Sequence, residues 1–255
     1  MNVRVLGCSG GESLTHRNVS ILIDHRVALD AGNLTSALTL QEQTLIEAVL
    51  ATHSHMDHVG DLGNLVDTRA QQRGPAILVG AMAETVAALR AHFFNDVLWP
   101  DFTRLPTPDE PAMELRTLGL ETEAEVCGYG VRALAVHHSV PSCGFVVSDG
   151  MCAVAYSGDT GSTDRFWEAA SGMHNLRLII TEVSFPDREA HLARVSGHLT
   201  PSTLAGELRK LGRAGKVPVG IYGLKPVFDA EIRDELAALK LGHVRVLTAG
   251  EELTL

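Results

Sequence analysis

Three histidines and an aspartate fall within six positions in Thr52-His53-Ser54-His55-Met56-Asp57-His58. Neutral imidazole and carboxylate are the ligands that zinc and similar divalent ions prefer. The apolar run Ala48-Val49-Leu50-Ala51 just before them reads as a buried strand, so the cluster lies where a strand opens into a loop. Side chains alternate on an extended segment, which sends His53 and His55 the same way. The turn that follows can aim Asp57 and His58 at a second point nearby, so one short segment begins two adjacent metal sites. With 12 histidines in 255 residues, such a combination arises by chance in roughly a few chains per thousand of this length. It is therefore read as a metal site and not as a His-rich solvated loop.

Further ligands must come from other elements. Val136-His137-His138-Ser139 ends a strand with paired histidines, only one of which can face a shared site. Tyr156-Ser157-Gly158-Asp159-Thr160-Gly161 ends another apolar strand with an aspartate between glycines. Alone, such an aspartate is usually a cap or turn residue; beside a histidine cluster it reads as a ligand.

The elements that hold these residues follow from periodicity and punctuation. Strands are predicted at 3–6, 20–24, 27–30, 48–51 and 77–80, with a hairpin turn at His25-Arg26. Helices are predicted at 36–47, 62–72 and 83–94. The segment 93–102 then holds four of the twelve Phe, Trp and Tyr residues, and Pro106, Pro108 and Pro111 punctuate an irregular connection, either a linker or a lid. The second half restarts with strands at 130–136, 144–148, 153–157 and 176–183, a helix at 164–171, a helix at 201–213, a strand at 218–222, a helix at 230–239 and a final strand at 244–247. Strands first and helices later, twice over, fit an α/β four-layer αββα sandwich with the helices outside two packed sheets. One domain over 1–255 is expected, in two sheet–helix halves of about 1–125 and 126–255.

Bulk properties narrow the partners. A net charge of −10 argues against a nonspecific grip on nucleic-acid backbone. Bound metal would still attract a small phosphorylated substrate. An apolar fraction of 45% supports a sizeable core, and no run is long enough to span a membrane. Met1-Asn2-Val3-Arg4-Val5-Leu6-Gly7 enters a strand at once, without the basic and apolar regions of a secretory signal, so a cytoplasmic location is expected. Cys8, Cys127, Cys143 and Cys152 form no CxxC pair and are expected to be reduced, mostly buried thiols.

Together these motifs resemble the metallo-β-lactamase-fold hydrolases, whose signature is HxHxDH followed by a lone His, a lone Asp and a final His. The resemblance covers essentially the whole chain. It implies that His53, His55 and His138 hold metal 1, that Asp57 and His58 hold metal 2, with Asp57 also catalytic in orienting the attacking hydroxide, and that Asp159 bridges them. His137 is then a neighbour that does not ligate. Asp30, in Leu29-Asp30-Ala31-Gly32, matches the aspartate that supports the site from behind. Two Zn²⁺ ions are implied, with Mn²⁺ or Fe²⁺ as the other candidates. Thr181-Glu182-Val183-Ser184-Phe185 and Ser196-Gly197-His198-Leu199-Thr200-Pro201 resemble the Glu and GHxT pair of RNase Z-type phosphodiesterases. There the histidine protonates the leaving oxygen and the glutamate orients it, a pairing that fixes the tautomer and raises the pKa.

The segments 94–102, 197–201 and Leu224-Lys225-Pro226 are similar to the class II cyclic-nucleotide phosphodiesterases. That similarity implies a 3′,5′-cyclic nucleotide as substrate, with Lys225 in contact with it and Trp99, Phe94 or Phe102 forming an apolar wall against the base. Core packing is the alternative for each aromatic. The glycine-proline-rich arm with which RNase Z enzymes grip tRNA is missing from the sequence. A homodimer is implied by family analogy only.

One position departs from the pattern. Aligned on Lys225-Pro226, the last metal-2 histidine falls at Gly223, which leaves Asp57, His58, Asp159 and water. His243 is the one nearby substitute, and its place before the last strand favours a structural role. Three readings follow: a cyclic-nucleotide phosphodiesterase, an RNase Z-like phosphodiesterase acting on RNA ends, and a degenerate nucleotide-binding member without turnover.

Overall fold

Alternation along the strands sorts their side chains into three apolar layers. In the strand Asn2–Gly7, Val3 and Val5 face one way and Leu6 the other. In Ala48–Ala51, Ala48 and Leu50 join the first layer, Val49 and Ala51 the second. Across from them, Val154 and Tyr156 of Ala153–Tyr156 enter that same first layer, while Ala153 and Ala155 enter a third. The shared layer is the interior between two sheets. The outer layers are covered by helices: Leu62–Gln72 and Ala83–Ala88 on one side, Arg165–Ser171, Pro201–Leu208 and Asp229–Ala238 on the other. This computed structural model, which describes residues 1–214 and 216–255, is thus the four-layer αββα sandwich expected from the pattern.

Each sheet has seven strands. The first runs Glu252–Thr254, Asn2–Gly7, Ser20–Ile23, Val27–Leu29, Ala48–Ala51, Ile77–Ala81, Met113–Thr117. The second runs Val244–Val246, Val219–Tyr222, Leu176–Glu182, Ala153–Tyr156, Cys143–Ser148, Tyr129–Ala135, Glu123–Val126. Four successive strands of each sheet are parallel, from Val27–Leu29 to Met113–Thr117 and from Ala153–Tyr156 to Val244–Val246. Their carboxyl ends therefore open along one edge, the usual place for ligands in such sheets.

Several local expectations are corrected. The helix predicted at 36–47 is a 3₁₀ turn, Thr35–Ala37, and one α-helical turn, Leu40–Gln43. Thr39 interrupts it by capping the second piece reciprocally with Glu42, which holds Leu38 extended. The helix at 83–94 widens into a π turn at Leu89–Phe93. The proline-punctuated connection contains a small hairpin, Pro106–Thr107 with Glu110–Pro111, and leads into the unpredicted strand Met113–Thr117. Unpredicted too are the strand Glu123–Val126 and the helix Ala190–Ser196. Val244–Val246 is not the final strand: Glu252–Thr254 returns to the first sheet and pairs antiparallel with Asn2–Gly7. The four cysteines are free, but Cys143 alone is buried and the others are half-buried. Among the described residues, no helix is long and apolar enough to cross a membrane.

Candidate metal centre and histidine–glutamate pair

Strand Ala48–Ala51 runs out through Thr52 and His53 to His55, which caps the single helical turn Met56–Val59. His53 Nε2 lies 3.1 Å from His55 Nδ1, and His138 Nε2 lies 3.2 Å from that same His55 nitrogen. A tetrahedral ion with metal–nitrogen bonds of about 2.0–2.1 Å spaces its ligand nitrogens by about 3.3–3.4 Å. The trio fits such an ion. Burial pushes the pKa of all three imidazoles below the ordinary range, aided by His58 at His53 and by His138 at His55; at His138 burial outweighs the Asp159 carboxylate. The neutral form is the one that ligates. His138 is oriented from behind, its Nδ1 3.0 Å from the Gly197 carbonyl oxygen.

A second donor group adjoins the first through His53. His58 Nε2 lies 3.2 Å from Asp159 Oδ2, and His53, His58 and Asp159 each offer one atom within 4.8 Å of the others. Burial disfavours a charged His58, yet the carboxylates of Asp159 and Asp30 outweigh it and hold its pKa well above the usual value. Burial likewise opposes an ionised Asp159, and His58 reverses this, keeping its pKa well below the carboxylate range. A bound divalent cation would take over the proton's place on His58.

Asp30 organises this second group. Buried and in the left-handed region at φ 57°, it accepts from His58 Nδ1 (2.7 Å), the Thr52 backbone N–H (2.8 Å), the Thr52 hydroxyl and the Tyr156 hydroxyl (2.6 Å). Such a carboxylate fixes the tautomer of the histidine it holds. The turn after Asp30 packs so closely on Met56–Val59 that a Cβ at Gly32 would overlap the Asp57 carbonyl oxygen.

The third cluster lies across the cleft. His198 Nδ1 is 2.8 Å from Glu182 Oε1 at the end of strand Leu176–Glu182. Glu182 also accepts from the Ser184 hydroxyl (2.9 Å) and the backbone N–H groups of Thr160 (3.2 Å) and Leu199 (3.3 Å). Thr200 caps helix Pro201–Leu208 with Pro201 at its first turn, which fixes the chain just after His198. Burial opposes a charged His198, but Glu182 outweighs it and raises the pKa. With His138 and Asp159, His198 also offers a donor atom within 4.8 Å, so the pair borders the metal donors directly. A cavity of about 480 Å³ is lined by His198 together with His137, Ala193, Arg194 and Leu199.

Other predicted residues stand apart. Asp57, on the helical turn, belongs to none of the three donor groups. Lys225 reaches it, with Nζ 3.9 Å from Asp57 Oδ2. Phe94 and Phe102 are buried in the outer core of the first sheet, and the Trp99 indole packs against Gly63 of helix Leu62–Gln72. Phe94 and Phe102 are thus core residues, while Trp99 is half-buried at the edge of the same cluster. His243 hands its carbonyl to the N–H of Val219, at the start of strand Val219–Tyr222, whereas Gly223 follows that strand's other end. Distance along the sheet rules out a substitution of one for the other. Sequence reasoning missed Tyr156 and Tyr222, whose hydroxyls donate to Asp30 and, at 3.5 Å, to Asp159. Both are inward-facing strand residues, indistinguishable in sequence from core aromatics.

A family profile described as "Beta-lactamase superfamily domain" matches residues 21–221. The chain belongs to this superfamily. It is 31% identical over 214 residues to a probable 3′,5′-cyclic-nucleotide phosphodiesterase of Yersinia pestis, covering 72% of this chain and 58% of that protein. It is 31% identical over 128 residues to a ribonuclease Z of Mycobacterium sp. (strain KMS), covering 45% of this chain and 43% of that one. The chain thus spans only 43% to 58% of these relatives' lengths. Unliganded yeast PDE1 shares the fold with a TM-score of 0.81 at 18% identity, over 100% of this chain and 99% of that structure.

Proposed function

We propose that this superfamily member is a metal-dependent phosphodiesterase that opens a 3′,5′-cyclic nucleotide to its 5′-monophosphate. The carrying observation is the His198–Glu182 pair, held beside a trio of neutral imidazoles and next to Asp159. Histidine and carboxylate donors suit Zn²⁺, with Mn²⁺ and Fe²⁺ as related candidates. A divalent ion at these donors supplies Lewis acidity and a more acidic water. The reaction consumes one water: one of its O–H bonds breaks as its oxygen bonds to phosphorus, the P–O3′ bond breaks, O3′ takes a proton, and the proton lost by the water makes good the one given up. His198 gives O3′ its proton from Nε2, because its Nδ1 is turned to Glu182. Glu182, fully buried and holding four donors, keeps the imidazole charged and oriented until transfer. The cavity beside His198 falls within the size range of small-molecule sites and can receive the nucleoside carrying O3′.

The ribonuclease Z match favours a second reading, hydrolysis at RNA ends by the same residues. A net charge of −10 weighs against it. Turnover of cyclic AMP, bis(p-nitrophenyl) phosphate and precursor tRNA separates the two. Preferred turnover of cyclic AMP supports the first reading and preferred cleavage of tRNA the second. Nucleotide binding without hydrolysis of any of the three contradicts both and leaves a binding role.

A further inference from the structure

We infer that Phe185 is a positioning residue for the acid: together with the His138 ring it fixes the plane of the His198 imidazole, so that Nε2 keeps its aim while Nδ1 stays on Glu182. The inference rests on reading His198 as the proton donor. Two ring contacts carry it. The His138 and His198 centroids lie 4.9 Å apart at an interplanar angle of 72°, and those of Phe185 and His198 lie 5.6 Å apart at 66°. Both are edge-to-face arrangements, the kind that aromatic pairs favour. The 2.8 Å bond from Nδ1 to Glu182 Oε1 holds one end of the imidazole but leaves the ring free to tilt about it. Rings set across it from two separate segments remove that freedom. A proton donor must be held within narrow limits of its productive geometry, by neighbours that lock its rotamer.

Phe185 is placed for this contact and not for the core. It is 8% exposed, yet it belongs to none of the three apolar layers, whereas Val183, two residues earlier, lies in the outer layer of the second sheet. The turn after strand Leu176–Glu182 delivers the carboxylate and the ring together. The N–H groups of Ser184 and Phe185 both donate to the Leu199 carbonyl (3.2 and 3.4 Å), and the Leu199 N–H donates back to Glu182 (3.3 Å). The segment 182–185 is thus tied to the residue that follows His198. Phe185 also meets the Phe228 ring, with centroids 6.1 Å apart. Phe228 is held in turn by the outer layer of the second sheet and by the Arg188 guanidinium, 5.1 Å from its ring centroid, whose Nε donates to Glu231 (2.8 Å). The ring that steadies His198 is therefore itself anchored.

Leaving-group selectivity tests this. Phe185→Leu keeps the position apolar and removes the flat ring. In the metal-loaded full chain it should lower kcat for cyclic AMP relative to bis(p-nitrophenyl) phosphate by about tenfold or more, short of the 10²–10⁴-fold that an acid itself supplies, with the loss in kcat and not in KM. In the His198→Ala background the same change should leave that ratio where it is, because Phe185 acts only through the imidazole. In the metal-free chain with ¹⁵N-labelled histidine, the His198 ring signals should broaden in Phe185→Leu as the ring gains motion. A ratio unmoved by Phe185→Leu, an equal fall in both backgrounds, or His198 signals alike in the two chains would overturn the inference and make Phe185 a packing residue. A ratio unmoved by His198→Ala would overturn the acid reading, and the inference with it.

Discussion

Removing the carboxylate beside His198 separates proton donation from every other contribution of the site. In Glu182→Gln the imidazole keeps its burial, which disfavours charge, and loses the group that outweighs burial. A hydrogen bond to a charged group contributes about 1.5–3 kcal/mol, and one pKa unit corresponds to about 1.4 kcal/mol. The His198 pKa should therefore drop, because burial is then left unopposed by Glu182. The sign follows from the role: an acid works only while protonated, so activity persists below the pKa of His198 and is lost as pH rises through it. The raised pKa extends the expected activity of the native chain to higher pH, and Glu182→Gln should move the alkaline limb of kcat/KM to lower pH. His198→Ala should remove the limb and lower turnover of a cyclic nucleotide by about 10²–10⁴-fold, the usual worth of general acid catalysis. The assay needs two substrates. Bis(p-nitrophenyl) phosphate releases a phenolate that departs without a proton, so its hydrolysis should fall less than about tenfold in His198→Ala. Equal losses on both substrates, or a pH profile unmoved in Glu182→Gln, would refute the acid role and leave His198 as a metal ligand or a structural residue.

The remaining predictions concern the frame. Asp30→Ala leaves His58, Tyr156 and Thr52 facing a buried void; it should cost about 3–5 kcal/mol in urea unfolding without metal, and weaken metal binding about 10–100-fold. Gly32→Ala drives a methyl into the Asp57 carbonyl and should destabilise by about 1–3 kcal/mol, with a shifted thermal midpoint as the readout. Phe102→Ala should cost about 3–5 kcal/mol of stability while leaving KM for a cyclic nucleotide unchanged; a raised KM at native stability would return Phe102 to the substrate site.

The layered fold was legible because inward and outward residues alternate cleanly in strands such as Asn2–Gly7 and Ala48–Ala51, and long apolar runs end at glycine or polar residues. His53, Asp159 and Glu182 stand at or just after the ends of parallel strands, and His138 joins them from the end of Tyr129–Ala135, which pairs antiparallel with its neighbours. What sequence periodicity could not resolve was short or ambiguous. Glu252–Thr254 has a single core-facing residue, Leu253, and becomes a strand only because Asn2–Gly7 offers an edge. Thr39 overrides the apparent helix at 36–47 through a cap that a period analysis does not see. The aromatic segment 93–102 reads equally as core or pocket wall until Gly63 is seen under Trp99. Asp57 sits in the densest part of the motif, yet only three-dimensional geometry shows it turned toward Lys225.

The central claim is metal-dependent opening of a cyclic phosphodiester, and ³¹P NMR of 3′,5′-cyclic AMP tests it most directly. Protein loaded with Zn²⁺ or Mn²⁺ should convert the cyclic signal to that of 5′-AMP, and His138→Ala, which removes one of the three converging imidazoles, should not. A cyclic AMP signal unchanged in the metal-loaded native protein, or equal conversion by His138→Ala, would contradict it.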